Sequence, residues 1–280
     1  MFMKYLILLL AGFSLLVTTF ESKNLQQNSD SRFYIDSIYS ENLNEYRRHN
    51  IYLPKGFSKA NSYPIVYGTD GQDNIENSYY KKILDSLVQN EIIEPIIFVQ
   101  SHANKKDADS TSMTRGNGDK VYLKFRYFEY VETNSRDSLL KNRFNEHMSY
   151  FTEELIPAIE SDFNKDLKSE ERYFYGVSNG AGFGLSLLKT HPELIGTYLC
   201  FSPFGGEVSV EDWYNASSLP DLYFYYGSEE PQFLRDAAEN LKGCYSGKEA
   251  KLEIKEYDGG HDYKIWNELF TQTVADIFRL

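Results

Sequence analysis

The chain has 280 residues, 41% of them hydrophobic and 25% charged, with 23 tyrosines, 19 phenylalanines and 2 tryptophans. That composition excludes disorder as the main state, and the length suits one large α/β domain. Lys and Arg number 29 against 41 Asp and Glu, a formal charge of −12, which disfavours a protein that wraps nucleic acid or clings by charge to an anionic membrane; the two cysteines exclude a disulfide scaffold and a multi-cysteine metal cluster.

Residues 1–20 stand apart from the rest. Lys4 is the only charge, residues 5–19 are almost wholly apolar, and polar chain follows at Glu21-Ser22-Lys23-Asn24. A spanning helix needs ~20 apolar residues and the apolar stretch of a secretory signal ~7–15, so this run fits a signal segment better. An uncleaved N-terminal anchor is the alternative, and the protein touches a membrane only in that case. The absence of cysteine near the junction excludes a lipid-modified one. Residues 21–32 read as a linker and 33–280 as the domain. The expectation is an exported protein, periplasmic or extracellular.

Residues 32–39 and 46–53 are strand-like, the second run closed by Pro54-Lys55-Gly56, and together they predict an antiparallel hairpin at the front edge of a sheet. Pro64-Ile65-Val66-Tyr67 is a short buried strand that runs into the turn Gly68-Thr69-Asp70-Gly71-Gln72. Apolar residues at 79, 80, 83, 84, 87 and 88 have the spacing of one helical face. Pro95-Ile96-Ile97-Phe98-Val99 is another buried strand. Residues 102–120 are polar and too long for a plain connection, which predicts a functional or mobile loop. Phe144, Met148, Phe151, Leu155, Ile159 and Phe163 share one face of an amphipathic helix.

From residue 173 onward, strands at 173–177, 198–201, 222–226 and 250–257 alternate with helices at 181–189, 232–241 and 263–278. Such alternation predicts βαβ units, hence an α/β fold with a mostly parallel central sheet and helices on both faces. Cys200 lies in an apolar strand and reads as a buried free thiol; pairing with Cys244 stays open.

Gly176-Val177-Ser178-Asn179-Gly180 is a G-x-S-x-G pattern between a strand and a helix. The chain must turn sharply there, and side chains in place of the two glycines would crowd the turn. Ser178 is thereby thrust out at the carboxyl end of the sheet as a candidate nucleophile. A serine hydroxyl needs a base, and five histidines are available: His49, His102, His147, His191 and His261. His49 reads as part of a charged edge strand, His147 as a helix residue amid exposed neighbours, and His191 as a helix stop before Pro192. His261 follows a strand and Gly259-Gly260 and comes last in the order Ser, acid, His. It is the candidate base, with His102 in reserve.

The acid that orients the base belongs on the loop after the strand 222–226. Gly227-Ser228-Glu229-Glu230-Pro231 supplies two adjacent candidates, of which Glu230 is preferred and Glu229 kept open; Asp258 is a third. Donors for an oxyanion are expected from the backbone N–H of Asn179, just after the nucleophile, and from that of Gly71 or Gln72 after the early strand. No H-E-x-x-H or C-x-x-C occurs, and Asp107 and Asp109 read as solvated loop residues rather than calcium ligands. No metal or organic cofactor is called for.

These residues resemble the esterase D-type esterases, an α/β-hydrolase family that includes the enterochelin (ferric siderophore) esterases. The resemblance covers about residues 33–278. It rests on Tyr52-Leu53-Pro54-Lys55-Gly56-Phe57, Asp70-Gly71-Gln72, Arg126-x-x-Glu129-Tyr130, Glu154-Leu155-Ile156-Pro157, the Ser178 motif, Gly227-x-x-Glu230-Pro231 and Gly259-Gly260-His261-Asp262. It implies an α/β-hydrolase fold and a serine esterase acting through an acyl-enzyme on a small-molecule or carbohydrate-linked ester. Two other readings keep the same fold: an acyltransferase, and a non-catalytic binding scaffold.

Overall fold

The computed structural model describes residues 30–72, 77–163, 165–206 and 219–280; the apolar run at 1–20 lies outside them. Among the described residues, eight strands form one sheet and two more a small hairpin. The strands of the sheet are β1 (Arg32–Ser40), β2 (Glu45–Leu53), β3 (Ile65–Gly68), β4 (Ile97–Ser101), β7 (Arg172–Val177), β8 (Thr197–Phe201), β9 (Asp221–Gly227) and β10 (Leu252–Tyr257). Their order is β1-β2-β4-β3-β7-β8-β9-β10. The pairs β1/β2 and β2/β4 are antiparallel and all later neighbours are parallel, so the expected edge hairpin and parallel sheet are both present.

Inner strands of a covered sheet are apolar on both faces because successive side chains alternate between them. Tyr198, Cys200, Phe224 and Tyr226 pack on one side with α3 (Arg143–Ser149), α4 (Ile156–Asp162), α5 (Asn179–Thr190) and α6 (Phe233–Tyr245). Leu199, Phe201, Tyr223 and Tyr225 pack on the other with α1 (Tyr79–Gln89) and α7 (Tyr263–Ile277). Cys200 and Cys244 are both buried free thiols, and burial pushes the Cys200 thiol well up.

The helix expected from Phe144 to Phe163 is one run in three parts. A π-turn, Tyr150–Leu155, joins α3 to α4, and the Ile156 N–H bonds five residues back to Phe151 O. Pro157 explains it: a proline offers no N–H to the carbonyl four residues back, so the ladder shifts register just ahead of it. The polar segment after His102, too long for a plain connection, has secondary structure of its own. It holds a 3₁₀ turn, Asp109–Thr111, and the hairpin of β5 (Met113–Thr114) and β6 (Lys120–Val121), and an ion pair of Lys124 with Asp107 closes it.

Two histidines differ from expectation. β2 is an inner strand, so His49 is buried rather than at a charged edge. His147 is fully buried, its ring among those of Tyr130, Tyr150 and Phe183, because the apolar face of α3 is wider than the arc from Phe144 to Phe151 suggests.

Register sets the site. Val177 pairs with Phe201, Phe201 with Tyr225, and Gly227 with Tyr257. The parallel strands therefore end within two residues of one another, and the residues that follow them, Ser178, Ser202, Ser228 and Asp258, emerge at one end of the sheet. In open α/β sheets that end is where ligands bind.

Candidate active site

Ser178 closes β7 and caps α5 with φ 55° and ψ −129°, a conformation that a residue with a Cβ rarely adopts. Such strain costs about 1–3 kcal/mol and persists only where the surroundings over-determine it. Here Ser178 N–H donates to Phe201 O at 3.0 Å, and Ser178 O accepts from the N–H groups of Gly182 and Phe204 at 3.0 Å each. The flanking glycines are required by close approach. A Cβ on Gly176 would lie 2.6 Å from the Gly180 backbone, and one on Gly180 would lie 2.1 Å from Thr69 Oγ1.

His261 Nε2 lies 2.9 Å from Ser178 Oγ, and His261 Nδ1 lies 2.6 Å from Glu230 Oε1. The loops bearing the acid and the histidine are laced together. Ser228 N–H donates to Tyr257 O at 2.8 Å, Glu229 N–H to Gly259 O at 2.9 Å and Gly259 N–H to Ser228 Oγ at 3.2 Å. Of the two adjacent glutamates, Glu230 turns inward and is buried, whereas Glu229 is exposed.

The second oxygen of Glu230 is saturated. Oε2 accepts from Gly227 N–H and Ser202 Oγ at 2.7 Å each and from Tyr257 OH at 3.3 Å. Trp266 Nε1–H donates to Ser202 Oγ and Tyr257 OH, both at 2.9 Å. The indole also meets the His261 ring edge-on at 4.5 Å, and Phe204 meets it from another side at 4.8 Å. Ser202, Tyr257 and Trp266 escaped the sequence reading. The available signal was register, since Ser202 is the first residue past β8 and faces the loop past β9.

The early turn differs from expectation in one respect. Gly71 N–H is committed to Ser101 O at 2.9 Å, and Gly71 O accepts from Asn50 Nδ2. A Cβ at Gly71 would lie 2.4 Å from Gln100 O, so this residue is pressed against β4 and its N–H cannot serve an incoming ligand. Gln72 is then the donor candidate of this turn, and its side chain is tied to Ala103 O at 2.7 Å. Asn179 N–H opens α5, where the first helical N–H groups have no intrahelical partner.

The remaining histidines are engaged elsewhere. His102 Nε2 lies 2.8 Å from Asn50 Oδ1, and burial, with Arg48, His49, Arg47 and Lys105 nearby, pushes its pKa down to about 4. His191 Nδ1 meets Thr190 Oγ1 at 2.9 Å. Among the described residues no group of three or more His, Cys, Asp or Glu could hold a metal ion. A cavity of about 480 Å³ shares Asp70 and Gln72 with the early turn and is walled by Tyr79, Lys105, Arg126 and Tyr263.

A hydroxyl on a strained strand-to-helix turn, an imidazole beside it and a buried carboxylate behind the imidazole stand at the carboxyl end of a mostly parallel sheet, which is the α/β-hydrolase architecture. The Esterase family model, described as "Putative esterase", matches residues 40–277, and the chain belongs to that family of carboxylic ester hydrolases. Uncharacterized protein YjcH of Bacillus subtilis (strain 168) is 20% identical over 246 residues, covering 84% of this chain and 92% of that protein. The ferulic acid esterase AmCE1/Fae1A of Anaeromyces mucronatus, solved with ferulic acid, superposes with a TM-score of 0.66 at 16% identity over 88% of this chain and 90% of its own. The enterobactin esterase FES of Shigella flexneri, solved with 2,3-di-hydroxy-N-benzoyl-serine, gives a TM-score of 0.66 at 18% identity over 88% of this chain and 59% of its own. At such identities the structural likeness establishes the shared fold.

Proposed function

We propose that the protein hydrolyses carboxylic esters through an acyl-enzyme on Ser178, with His261 as general base and acid and Glu230 as its orienter. The observation that carries this reading is the continuous chain from Ser178 Oγ through the His261 ring to buried Glu230, at 2.9 and 2.6 Å. Ser178 Oγ attacks the ester carbonyl and its proton passes to His261 Nε2. The developing oxyanion meets the N–H groups of Asn179 and Gln72. His261 then protonates the departing alcohol, and a water activated in the same way releases the acid and restores Ser178. Glu230 holds Nδ1–H, so that Nε2 is the free acceptor, and its charge stabilises the imidazolium.

For the substrate, we propose an ester of a carboxylic acid that bears a phenol ring, of the kind carried by a plant polysaccharide or a catecholate siderophore. Tyr79, Tyr80 and Tyr263 line the cavity beside Gln72 and offer ring faces and hydroxyls to a planar acyl group. Of the two structural relatives above, one was solved with ferulic acid and the other with 2,3-di-hydroxy-N-benzoyl-serine, a serine carboxylic acid whose amide carries the phenol ring.

The test is a fluorophosphonate probe together with esters of ferulic acid, of 2,3-di-hydroxy-N-benzoyl-serine and of acetic acid. Wild-type protein is expected to be labelled and to turn over the phenolic esters with the highest kcat/KM, and Ser178→Ala to lose both properties while remaining folded. Labelling of Ser178→Ala at the wild-type rate would overturn the assignment, and a preference for acetyl esters would overturn the substrate class.

A further inference from the structure

The two residues proposed to donate to the oxyanion sit on different parts of the chain, Gln72 on the turn after β3 and Asn179 at the start of α5. One side chain holds both parts. Arg126 Nε and Nη2 donate to Asp70 Oδ1 and Oδ2 at 2.6 and 2.8 Å, a bidentate pair, and Arg126 Nη1 donates to Asn179 Oδ1 at 3.0 Å. Asn179 Nδ2 in turn donates to Phe204 O at 3.0 Å, so its side chain is fixed at both ends. Asp70 has φ 60°, an unfavoured conformation for a non-glycine residue, and its N–H meets Tyr130 OH at 3.4 Å.

Arg126 and Tyr130 both belong to α2 (Phe125–Tyr130), four residues apart on one face, and Glu129 of the same turn is the anchor. Glu129 is fully buried. It accepts from Arg47 at 2.7 and 3.0 Å and from Arg143 at 3.0 and 2.8 Å. The Arg126 guanidinium also lies over the Tyr130 ring at 4.9 Å. A short helix would wander on its own, but this one is pinned in the interior by Glu129 and presents Arg126 outward to the site.

We infer that Arg126 is a positioning residue for the oxyanion hole: its guanidinium staples the Asp70 turn to the start of α5 and so sets the spacing of the Gln72 and Asn179 N–H groups. The inference rests on the serine-esterase reading above. Three donors in one rigid plane suit the task, because arginine can hold a carboxylate with two hydrogen bonds and an amide with a third, whereas lysine is a single point charge. Preorganised donors act on the transition state and leave ground-state binding largely unchanged, so the expected signature is in kcat.

The test uses the full chain, an activated p-nitrophenyl ester, and Arg126→Ala and Arg126→Lys beside Ser178→Ala. Arg126→Ala is expected to lower kcat by about 10²–10³, the range for loss of one oxyanion donor. KM should stay within about threefold of wild type, as for an interaction made in the transition state. The pH at which kcat/KM rises should not move, because His261 and Glu230 are untouched. Arg126→Lys should recover part of the loss through Asp70 alone. If Arg126→Ala fails to fold, Asp70→Asn, which keeps shape and weakens the pair, must show the same loss in kcat alone. A kcat near wild type in the folded arginine variant, or a loss confined to KM, would overturn the inference. An inactive Ser178→Ala beside an unimpaired Arg126→Ala would leave the serine reading standing, and an active Ser178→Ala would remove both.

Discussion

Among the described residues, a histidine lies beside a buried glutamate both at the sheet's carboxyl end and beneath α2, and the two places differ in form. At the sheet's carboxyl end, Glu230 gives one oxygen to His261 and the other to neutral donors, the Gly227 N–H and the hydroxyls of Ser202 and Tyr257. Its negative charge is left for the imidazole to use. His261 is 40% exposed, and its second nitrogen faces Ser178. Beneath α2, Glu129 is consumed by two guanidiniums and the Asn104 amide. Burial alone would raise its pKa, but the facing Arg47 and Arg143 outweigh it and hold the carboxyl down at about 2. The nearby His147 has no hydrogen-bond partner on either nitrogen, and burial, partly offset by Glu129, pushes its pKa down to about 3. Proximity of the two residue types therefore decides little. What matters is which partners saturate the carboxylate, and whether the far nitrogen of the imidazole meets solvent and a nucleophile.

The sharpest way to break this contrast is to remove the charge at each glutamate. Glu230→Gln is expected to lower kcat by about 10⁴, the size of the corresponding Asp→Asn effect in another triad enzyme, because the amide can hold the wrong tautomer. Glu229→Gln, one residue away and exposed, should change kcat less than about tenfold, as surface substitutions usually do little. Steady-state kinetics on one activated ester, with folding followed by circular dichroism, decides between them. The opposite ranking would transfer the role to Glu229.

Glu129→Gln should act on stability instead, costing about 3–5 kcal/mol at neutral pH, because two buried guanidiniums lose their counter-charge. Glu129 has a folded-state pKa below its ordinary 4.5, so its contribution is full above about pH 4.5 and is lost as the pH falls toward 2. The gap between wild type and variant in urea unfolding should narrow over that window. A gap unchanged down to pH 2 would show that the carboxylate's charge is not what stabilises the fold.

The smallest effect concerns His147. The unfolded chain takes up a proton there near pH 6.5 and the folded protein only near 3, so wild-type stability falls as the pH drops through this interval. The slope from one such group is at most ~1.4 kcal/mol per pH unit. His147→Phe, a ring of similar shape among Tyr130, Tyr150 and Phe183, should flatten the curve between pH 6.5 and 3. Identical slopes in the two proteins would mean that the imidazole is already charged in the fold.

The sequence by itself determined the order of elements, the strand-turn-helix at Ser178 and the choice of His261, because these depend on local rules. Alternation and helical spacing mark the elements, two glycines mark a turn that admits no side chain, and a glycine pair before a helix marks an exposed loop. It could narrow the acid to Glu230, Glu229 and Asp258 and the second oxyanion donor to Gly71 and Gln72. Only the tertiary structure shows that Glu230 meets His261 while Glu229 faces solvent, since that follows from which side chain turns under the loop after β10. Only it removed Gly71, whose N–H is taken by a strand some thirty residues further along the chain. It also buried His49 and His147 against expectation, and it joined Arg126 to Asp70 and Asn179, each more than fifty residues away. Contacts of that kind depend on how a strand seats between two others and how a one-turn helix is anchored, and no pattern along a single segment of chain carries that information.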